Sequence, residues 1–211
     1  TVLITGGTGF LGRELATRLK RDHIVVIAGR NNTQNMWAQR YTNCEAIPMD
    51  VSNIESVRDA FNAVNPNIVI HAAATKFVDI SEKQPFEAID INVLGSQNVA
   101  RTAIDKKVGI LVGISTDKTA APVKNTYALT KALMERMFCS LNGKSATKFS
   151  CVRFGNIAWS SGSVLPIWKK MFDETGVIRS TGPEMRRYFI TVSEAARLVM
   201  TCLENINVLQ G

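Results

Sequence analysis

The sequence predicts an α/β fold: one doubly wound parallel sheet with helices on both faces, followed by a small C-terminal lobe. Three observations carry the prediction. Short, β-rich apolar runs alternate with helix-period segments from the first residues onward. The first of these runs leads straight into a glycine-rich turn and then a helix. The alternation loosens after Phe154 into Gly155-Asn156-Ile157 and a Ser-Ser-Gly-Ser stretch.

The strands read in order as Val2–Ile4, Ile24–Ala28, Ala46–Met49, Ile68–Ala72, Ile110–Ile114 and Phe149–Phe154. Their continuous apolar character suits a sheet buried on both faces. Between them, Leu11, Leu15 and Leu19 recur every four residues, and Ile54, Val57, Phe61 and Val64 keep the spacing of a helix buried on one side. Ser52, with Glu55 three residues on, has the form of a capping box for that second helix. Phe86–Ile104 reads as one long helix, and Tyr127–Leu141 as another that packs through Leu129, Leu133, Met137 and Phe138. Helical patterns at Val164–Phe172 and Val192–Leu203 complete the chain.

Composition excludes several classes. At 211 residues with 45% hydrophobic and 20% charged side chains, the chain can bury one sizeable core. The net charge of +7 comes from Lys and Arg residues scattered along the sequence, without a basic block or a recognition motif, so no nucleic-acid partner is expected. A small anionic ligand accounts for the charge equally well. The four cysteines (Cys44, Cys139, Cys151 and Cys202) have neither disulfide-scaffold nor metal-ligand spacing, which fits a reducing cytoplasm and no metal. No apolar run approaches the ~20 residues that span a bilayer, and the chain opens on a strand with no charged leader, so no membrane segment or export signal is expected.

The first strand runs into Gly6-Gly7-Thr8-Gly9-Phe10-Leu11-Gly12, in which Gly7, Gly9 and Gly12 satisfy G-x-G-x-x-G before a helix. Glycines let the backbone approach a pyrophosphate closely, and the helix N-terminus offers unpaired N–H groups. The turn therefore points to a dinucleotide. NAD-preferring sites place an acid at the end of the second strand. Here the residues are Ala28-Gly29-Arg30-Asn31, with no acid beside Arg30, so the 2′-phosphate of NADP is the expected ligand of that guanidinium. Asp50 and Val51, at the third strand's end, are placed to reach the adenine.

Three further segments narrow the reading. His71-Ala72-Ala73-Ala74, Ser115-Thr116-Asp117-Lys118 and Tyr127-Ala128-Leu129-Thr130-Lys131 together resemble the extended short-chain dehydrogenase/reductase family. Within it, the Ser-Thr-Asp-Lys run resembles the UDP-N-acetylglucosamine 4,6-dehydratases. Similar segments follow at Arg153-Phe154-Gly155-Asn156, Gly162-Ser163-Val164-Leu165-Pro166 and Pro183-Glu184-Met185-Arg186-Arg187-Tyr188-Phe189. The resemblance implies a Rossmann domain over 1–154 that binds NADP, and a partial sugar-nucleotide segment over 155–211 interleaved with it. It further implies a UDP-sugar substrate and a homo-oligomer. Cofactor contacts are expected from Gly6, Thr8, Gly9, Phe10, Leu11, Gly12, Arg30, Asp50, Val51, Ala72, Ala73, Ala74, Lys76, Asn92, Tyr127 and Lys131. Substrate contacts are expected from Lys76, Asn156, Arg186 and Arg187.

Tyr127 and Lys131, four apart on a helix, share a face, so the ammonium is expected to lower the phenol's pKa toward that of a working general base. The resemblance implies that Thr116 shares a hydrogen bond with the sugar 4-hydroxyl while Tyr127 takes its proton. Asp117 and Lys118 separate reaction types. A 4-epimerase needs only hydride removal and return at C4, whereas a 4,6-dehydratase must also remove the C5 proton and expel the C6 hydroxyl. Asp117 is the expected acid and Lys118 the expected base, with the hydride returning to C6. His71 is expected to pack at its strand end rather than to act in acid–base chemistry. A UDP-sugar 4-epimerase, a nucleotide-sugar reductase and a non-catalytic NADP-binding regulator are the rival readings. Three departures from the family stand out. Trp159-Ser160-Ser161-Gly162 lacks the Arg usual there, the loop before Tyr127 is one residue longer, and family members continue past the point matching Gly211.

Overall fold

The computed structural model describes residues 1–180, Gly182 and residues 184–208; Pro183 of the sequence motif above and the chain end at Gly211 lie outside them. The chain runs β1 (Val2–Thr5), α1 (Phe10–Leu19), β2 (Val25–Gly29), α2 (Asn32–Thr42), β3 (Glu45–Pro48), α3 (Ile54–Val64) and β4 (Ile68–His71). It continues through α4 (Val78–Lys83), α5 (Pro85–Ile89), a π-helical turn (Asp90–Leu94), α6 (Gly95–Asp105), β5 (Ile110–Ile114), a short 3-10 turn (Asp117–Thr119) and α7 (Thr126–Leu141). Last come β6 (Lys148–Val152), β7 (Asn156–Ile157), α8 (Val164–Thr175), β8 (Phe189–Ile190) and α9 (Val192–Glu204).

Six parallel strands pair in the order β3-β2-β1-β4-β5-β6, and β7 pairs with β8 in a separate ribbon. The order reverses direction at β1 and β4, and in such sheets the crevice beyond the carboxyl ends at that reversal is the ligand site. Strand alternation divides the core. Val2, Ile4, Ile27, Ile70 and Val112 pack against Leu11, Leu15 and Leu19 of α1 and Ala195, Val199 and Cys202 of α9. Leu3, Val26, Val69, Leu111 and Phe149 pack on the other face against Val57 and Phe61, Val99 and Ala103, and Met134 and Phe138. Fully buried Phe61, Phe138 and Phe149 each contribute about 2–3 kcal/mol by removal from water. Because α9 lies on α1, β5 and β6, the last part of the chain returns to the sheet.

The structure departs from the sequence reading in several elements, among them α4 and the β7–β8 pair, which the sequence reading did not include. An additional helix, α2, follows β2; its buried face is Asn35, Ala38 and Thr42, which gives almost no apolar period to read. Asn31 caps it by accepting from the Gln34 N–H. The single helix expected over 86–104 is interrupted by the π turn, which buries Ile91 and Asn92. On α7 the buried stripe is Ala128, Thr130, Lys131, Met134, Glu135 and Phe138, while Leu129 and Leu133 are exposed. Turning Lys131 inward rotates both leucines outward. Finally, α3 is capped by Asn53, whose Oδ1 accepts from Glu55 N–H (2.9 Å) and Ser56 N–H (3.3 Å), while Ser52 bonds back to Asp50.

The cap assignment is directly testable. Asn53→Ala is expected to lower stability by about 1 kcal/mol, and Ser52→Ala by less than about 0.5 kcal/mol. Urea unfolding of both variants checks it, and the reverse ranking would restore Ser52 as the cap.

Candidate active site

The site is built on the carboxyl ends of β1, β4 and β5. After Thr5 the chain turns at Gly6 with φ of 65°, and a Cβ there would stand 2.6 Å from the Ala73 nitrogen. The glycine-rich loop thus lies directly on the Ala72–Ala73 backbone, and Ala72 N–H donates to the Thr5 carbonyl at 3.0 Å. Gly12 is as tightly held: its Cβ would meet Gly7 Cα at 2.5 Å. Exposed Gly9 begins α1 with no side-chain cap and no acid in the first turn. The first N–H groups of a helix with its dipole pointing at the cleft therefore remain for an anion, which fits a pyrophosphate. Half-buried Phe10 starts the helix, Leu11 is anchored in the core, and Thr8 Oγ1 abuts Gly29, with 2.9 Å to where a Cβ on that glycine would be.

Arg30 directly follows β2, as expected, but the reading that no carboxylate stands beside it is corrected. The Glu87 carboxylate of α5 lies 3.7 Å from its guanidinium, both being exposed. The two residues lie in segments far apart in the sequence, which adjacency along the chain cannot show. Asp50 is turned to its own loop, its Oδ1 accepting from Ser52 N–H (3.0 Å) and Ser52 Oγ (2.7 Å). Val51 is buried against Gly95.

Thr116, Asp117, Lys118, Tyr127 and Asn156 come together beyond β5. Thr116 Oγ1 donates to Asp117 Oδ1 (3.0 Å), the Lys118 ammonium lies 3.3 Å from the same oxygen, and Lys118 Nζ donates to Asn156 Oδ1 (2.9 Å). Asp117 N–H is tied to the Phe154 carbonyl at 3.1 Å, which anchors the pair to the chain after β6. Asn125 caps α7 by accepting from Ala128 N–H, so Tyr127 sits in its first turn and faces this group. Asn92, buried on the π turn, accepts from Thr75 N–H and donates to the Thr75 carbonyl and to Thr130 Oγ1 (3.0 Å); Thr130 in turn donates to the Tyr127 carbonyl (2.8 Å).

The electrostatics differ from the expectation for Tyr127. Burial pushes its phenol up to about 12; the hydrogen bond with Thr116 works the other way, and the neighbouring Asp117 charge adds to the rise. Lys131 does not lower it, because Lys131 Nζ points to Met134 Sδ at 3.2 Å. Burial brings that ammonium down to about 8, against the raising influence of Cys151 and Glu135. Sequence reasoning passed over Glu135, a buried carboxylate that accepts from Arg153 through both oxygens (2.8 and 2.5 Å) and from Thr119 Oγ1 (3.2 Å). Its position four residues after Lys131 on the same helix face was the available signal.

Lys76 is exposed, and its ammonium donates to the Ser161 carbonyl, in the loop where the family usually carries Arg. Arg186 and Arg187 stand exposed on the segment leading to β8, the Arg187 guanidinium turned onto the Arg186 carbonyl (2.7 Å). Among the described residues, neither bonds to the Thr116–Tyr127 group. Also among them, no cluster of three His, Cys, Asp or Glu residues could hold a metal, and no helix is long and apolar enough to cross a membrane.

The sequence matches the family described as polysaccharide biosynthesis protein over residues 2–209. The chain belongs to that family. Among relatives, the Staphylococcus aureus capsular polysaccharide biosynthesis protein CapD is 38% identical over 211 residues, covering 95% of this chain and 35% of its own. A Rickettsia bellii UDP-glucose 4-epimerase is 34% identical over 216 residues, covering 97% of this chain and 62% of its own. The X-ray structure of Pen from Bacillus thuringiensis superposes with a TM-score of 0.90 at 32% identity, over 96% of this chain and 66% of that one. This family member thus spans between about a third and two thirds of these relatives' lengths, on a Rossmann-type sheet of the extended short-chain dehydrogenase/reductase kind.

Lys131 supplies a pH test. Its folded pKa is depressed from 10.5 to about 8, so the unfolded chain holds the proton more tightly between those values. The resulting destabilisation is full below about pH 8 and disappears as pH rises toward 10.5. Lys131→Met is therefore expected to stabilise the unliganded protein at neutral pH by on the order of 3 kcal/mol, with the gain shrinking toward pH 10. Denaturant unfolding at both pH values checks it; a variant less stable at both would show the ammonium to be well solvated.

Proposed function

We propose that this chain carries the catalytic core of an NADP-dependent 4,6-dehydratase acting on a UDP-hexose, with UDP-N-acetylglucosamine as the substrate. The observation that carries the reading is the Asp117–Lys118 pair fixed beside Thr116 and Tyr127, an acid and a base beyond what C4 chemistry requires. The likeness to CapD, a capsular polysaccharide biosynthesis protein, supports a sugar-nucleotide substrate.

Gly6, Thr8, Gly9, Phe10 and Leu11 would hold the pyrophosphate of NADP, Arg30 its 2′-phosphate in exchange for Glu87, Asp50, Val51 and Ala72–Ala74 the adenosine, and Lys131 the nicotinamide ribose. The nicotinamide, when bound, supplies the hydride acceptor for C4 and the hydride for C6. Tyr127 accepts the proton of the sugar 4-hydroxyl, which Thr116 orients. For that, Lys131 must turn from Met134 toward the phenol, lowering a pKa that burial, with the Asp117 charge adding to it, holds at about 12. With the proton of the pair resting on Asp117, Lys118 as the free amine takes the C5 proton, made acidic by the 4-ketone, while Asp117 gives its proton to the departing 6-hydroxyl, which leaves as water. Asn156 orients Lys118 and the substrate, Lys76 places a cation at the loop that lacks the usual Arg, and Arg186 and Arg187 meet the UDP once substrate is present.

A UDP-sugar 4-epimerase is the second reading, favoured by the Rickettsia bellii relative of that name. It would use Thr116 and Tyr127 in the same roles and leave Asp117 and Lys118 as an ordinary ion pair.

Two outcomes are expected. Wild-type protein should bind NADP(H) more tightly than NAD(H), with Arg30→Ala losing about 1.5–3 kcal/mol for NADP(H) alone. Titration of both cofactors reads this, and equal wild-type affinities would remove the NADP assignment. In deuterated water, Lys118→Met should oxidise C4 without exchanging the C5 proton, whereas Asp117→Asn should exchange C5 but eliminate water about 10²–10⁴-fold more slowly. Wild-type elimination rates in both variants would contradict these roles.

A further inference from the structure

At the ends of β1 and β4 a fully buried imidazole sits between two hydroxyls. Thr5 and His71 are register partners in the sheet, and Thr5 Oγ1 lies 2.8 Å from His71 Nδ1. On its other edge, His71 Nε2 lies 2.9 Å from Ser96 Oγ. The Ser96 hydroxyl proton is already committed, donated to the Asn92 carbonyl at 2.6 Å. Ser96 therefore accepts from the ring, which places the ring proton on Nε2 and leaves Nδ1 to accept from Thr5. Thr5 Oγ1 in turn accepts from Ala73 N–H at 3.3 Å. Burial, with the Lys131 charge adding to it, holds the imidazole down at about 3, so the ring stays neutral at ordinary pH.

The line of bonds continues at both ends. Thr5 is the residue before Gly6, at the root of the phosphate loop. Beyond Ser96, Asn92 Nδ2 donates to Thr130 Oγ1, and Thr130 donates to the Tyr127 carbonyl.

We propose that His71 is a positioning residue: its fixed Nε2–H tautomer ties Thr5 and the phosphate loop to Ser96, which bonds to the Asn92 backbone, and the Asn92 side chain carries the line on to Thr130 and the Tyr127 carbonyl, so that one set of linked residues positions both the dinucleotide and the proton acceptor. The proposal rests on the dinucleotide and tyrosine roles given above, and it adds the coupling between them. Loss of a link should shift the two groups relative to each other. Displacements of about an ångström between reacting partners can lower turnover by up to about a hundredfold while leaving binding nearly intact.

The chain has two histidines, and His23 is exposed, so the His71 ring is separable by imidazole nitrogen NMR. In the unliganded protein the Nε2–H tautomer alone is expected from about pH 5 to 9. Thr5→Val, which keeps the shape of the side chain, should move the Thr130 methyl resonance. It should also lower kcat about 10–100-fold, with KM and the NADP dissociation constant changing less than about threefold. Ser96→Ala should do the same, and the double variant should be no worse than either single one, since both break the same line. An Nδ1–H tautomer, a ring titrating near neutral pH, or a Thr5→Val protein whose Thr130 signal stays in place while only its Tm falls would overturn the proposal. The tautomer and the Thr130 shift need neither sugar nor turnover, so they decide the coupling even if the dehydratase reading fails.

Discussion

The close approach of Gly6 to the Ala72–Ala73 backbone is the constraint on which the rest of the molecule depends. No side chain fits between them, so β1 and the strand end after β4 are locked at the point where the sheet order reverses. That contact sets the glycine-rich loop at the N-terminus of α1, and it brings Thr5 beside His71. The register passes on from His71 to Gly113 of β5 and from Gly113 to Cys151 of β6. Thr116, Asp117 and Lys118, just past β5, are thereby delivered to the same crevice as the loop.

Around that frame the chain keeps polar groups where a core would favour apolar ones. The inward stripe of α7 carries Thr130, Lys131 and Glu135 between Ala128 and Phe138, and the two leucines that could have filled it face outward. Glu135 is offset by Arg153 and Thr119. Lys131 Nζ points to the Met134 thioether, and burial depresses its pKa. An ammonium held ready in this way becomes useful when a phenol or a ribose hydroxyl is presented to it. The price is stability, which is the usual relation between a preorganised site and its scaffold.

Much of this was legible in the residues, and what was not has physical reasons. Strands buried on both faces announce themselves as unbroken apolar runs, so all six core strands were placed to within two residues. The glycine turn and Ser115–Lys118 likewise lie together at the carboxyl end of the sheet. By contrast, α2 hides because its buried face is Asn35, Ala38 and Thr42, and the π turn because it is set by tertiary bonds of Asn92 rather than by local preference. Leu129 and Leu133 misled because a four-residue spacing fits either face of a helix when the inward residue is a lysine. The Arg30–Glu87 contact joins segments far apart in sequence, so only the fold creates it.

The central claim is that this site eliminates water across C5 and C6 instead of only inverting C4. UDP-N-acetylglucosamine carrying deuterium at C4, incubated with the protein and NADP and followed by mass spectrometry and NMR, tests it most directly. The account predicts a product lighter by one water, with the deuterium moved from C4 to C6. A product of unchanged mass that retains deuterium at C4 with inverted configuration would contradict it and establish the epimerase reading.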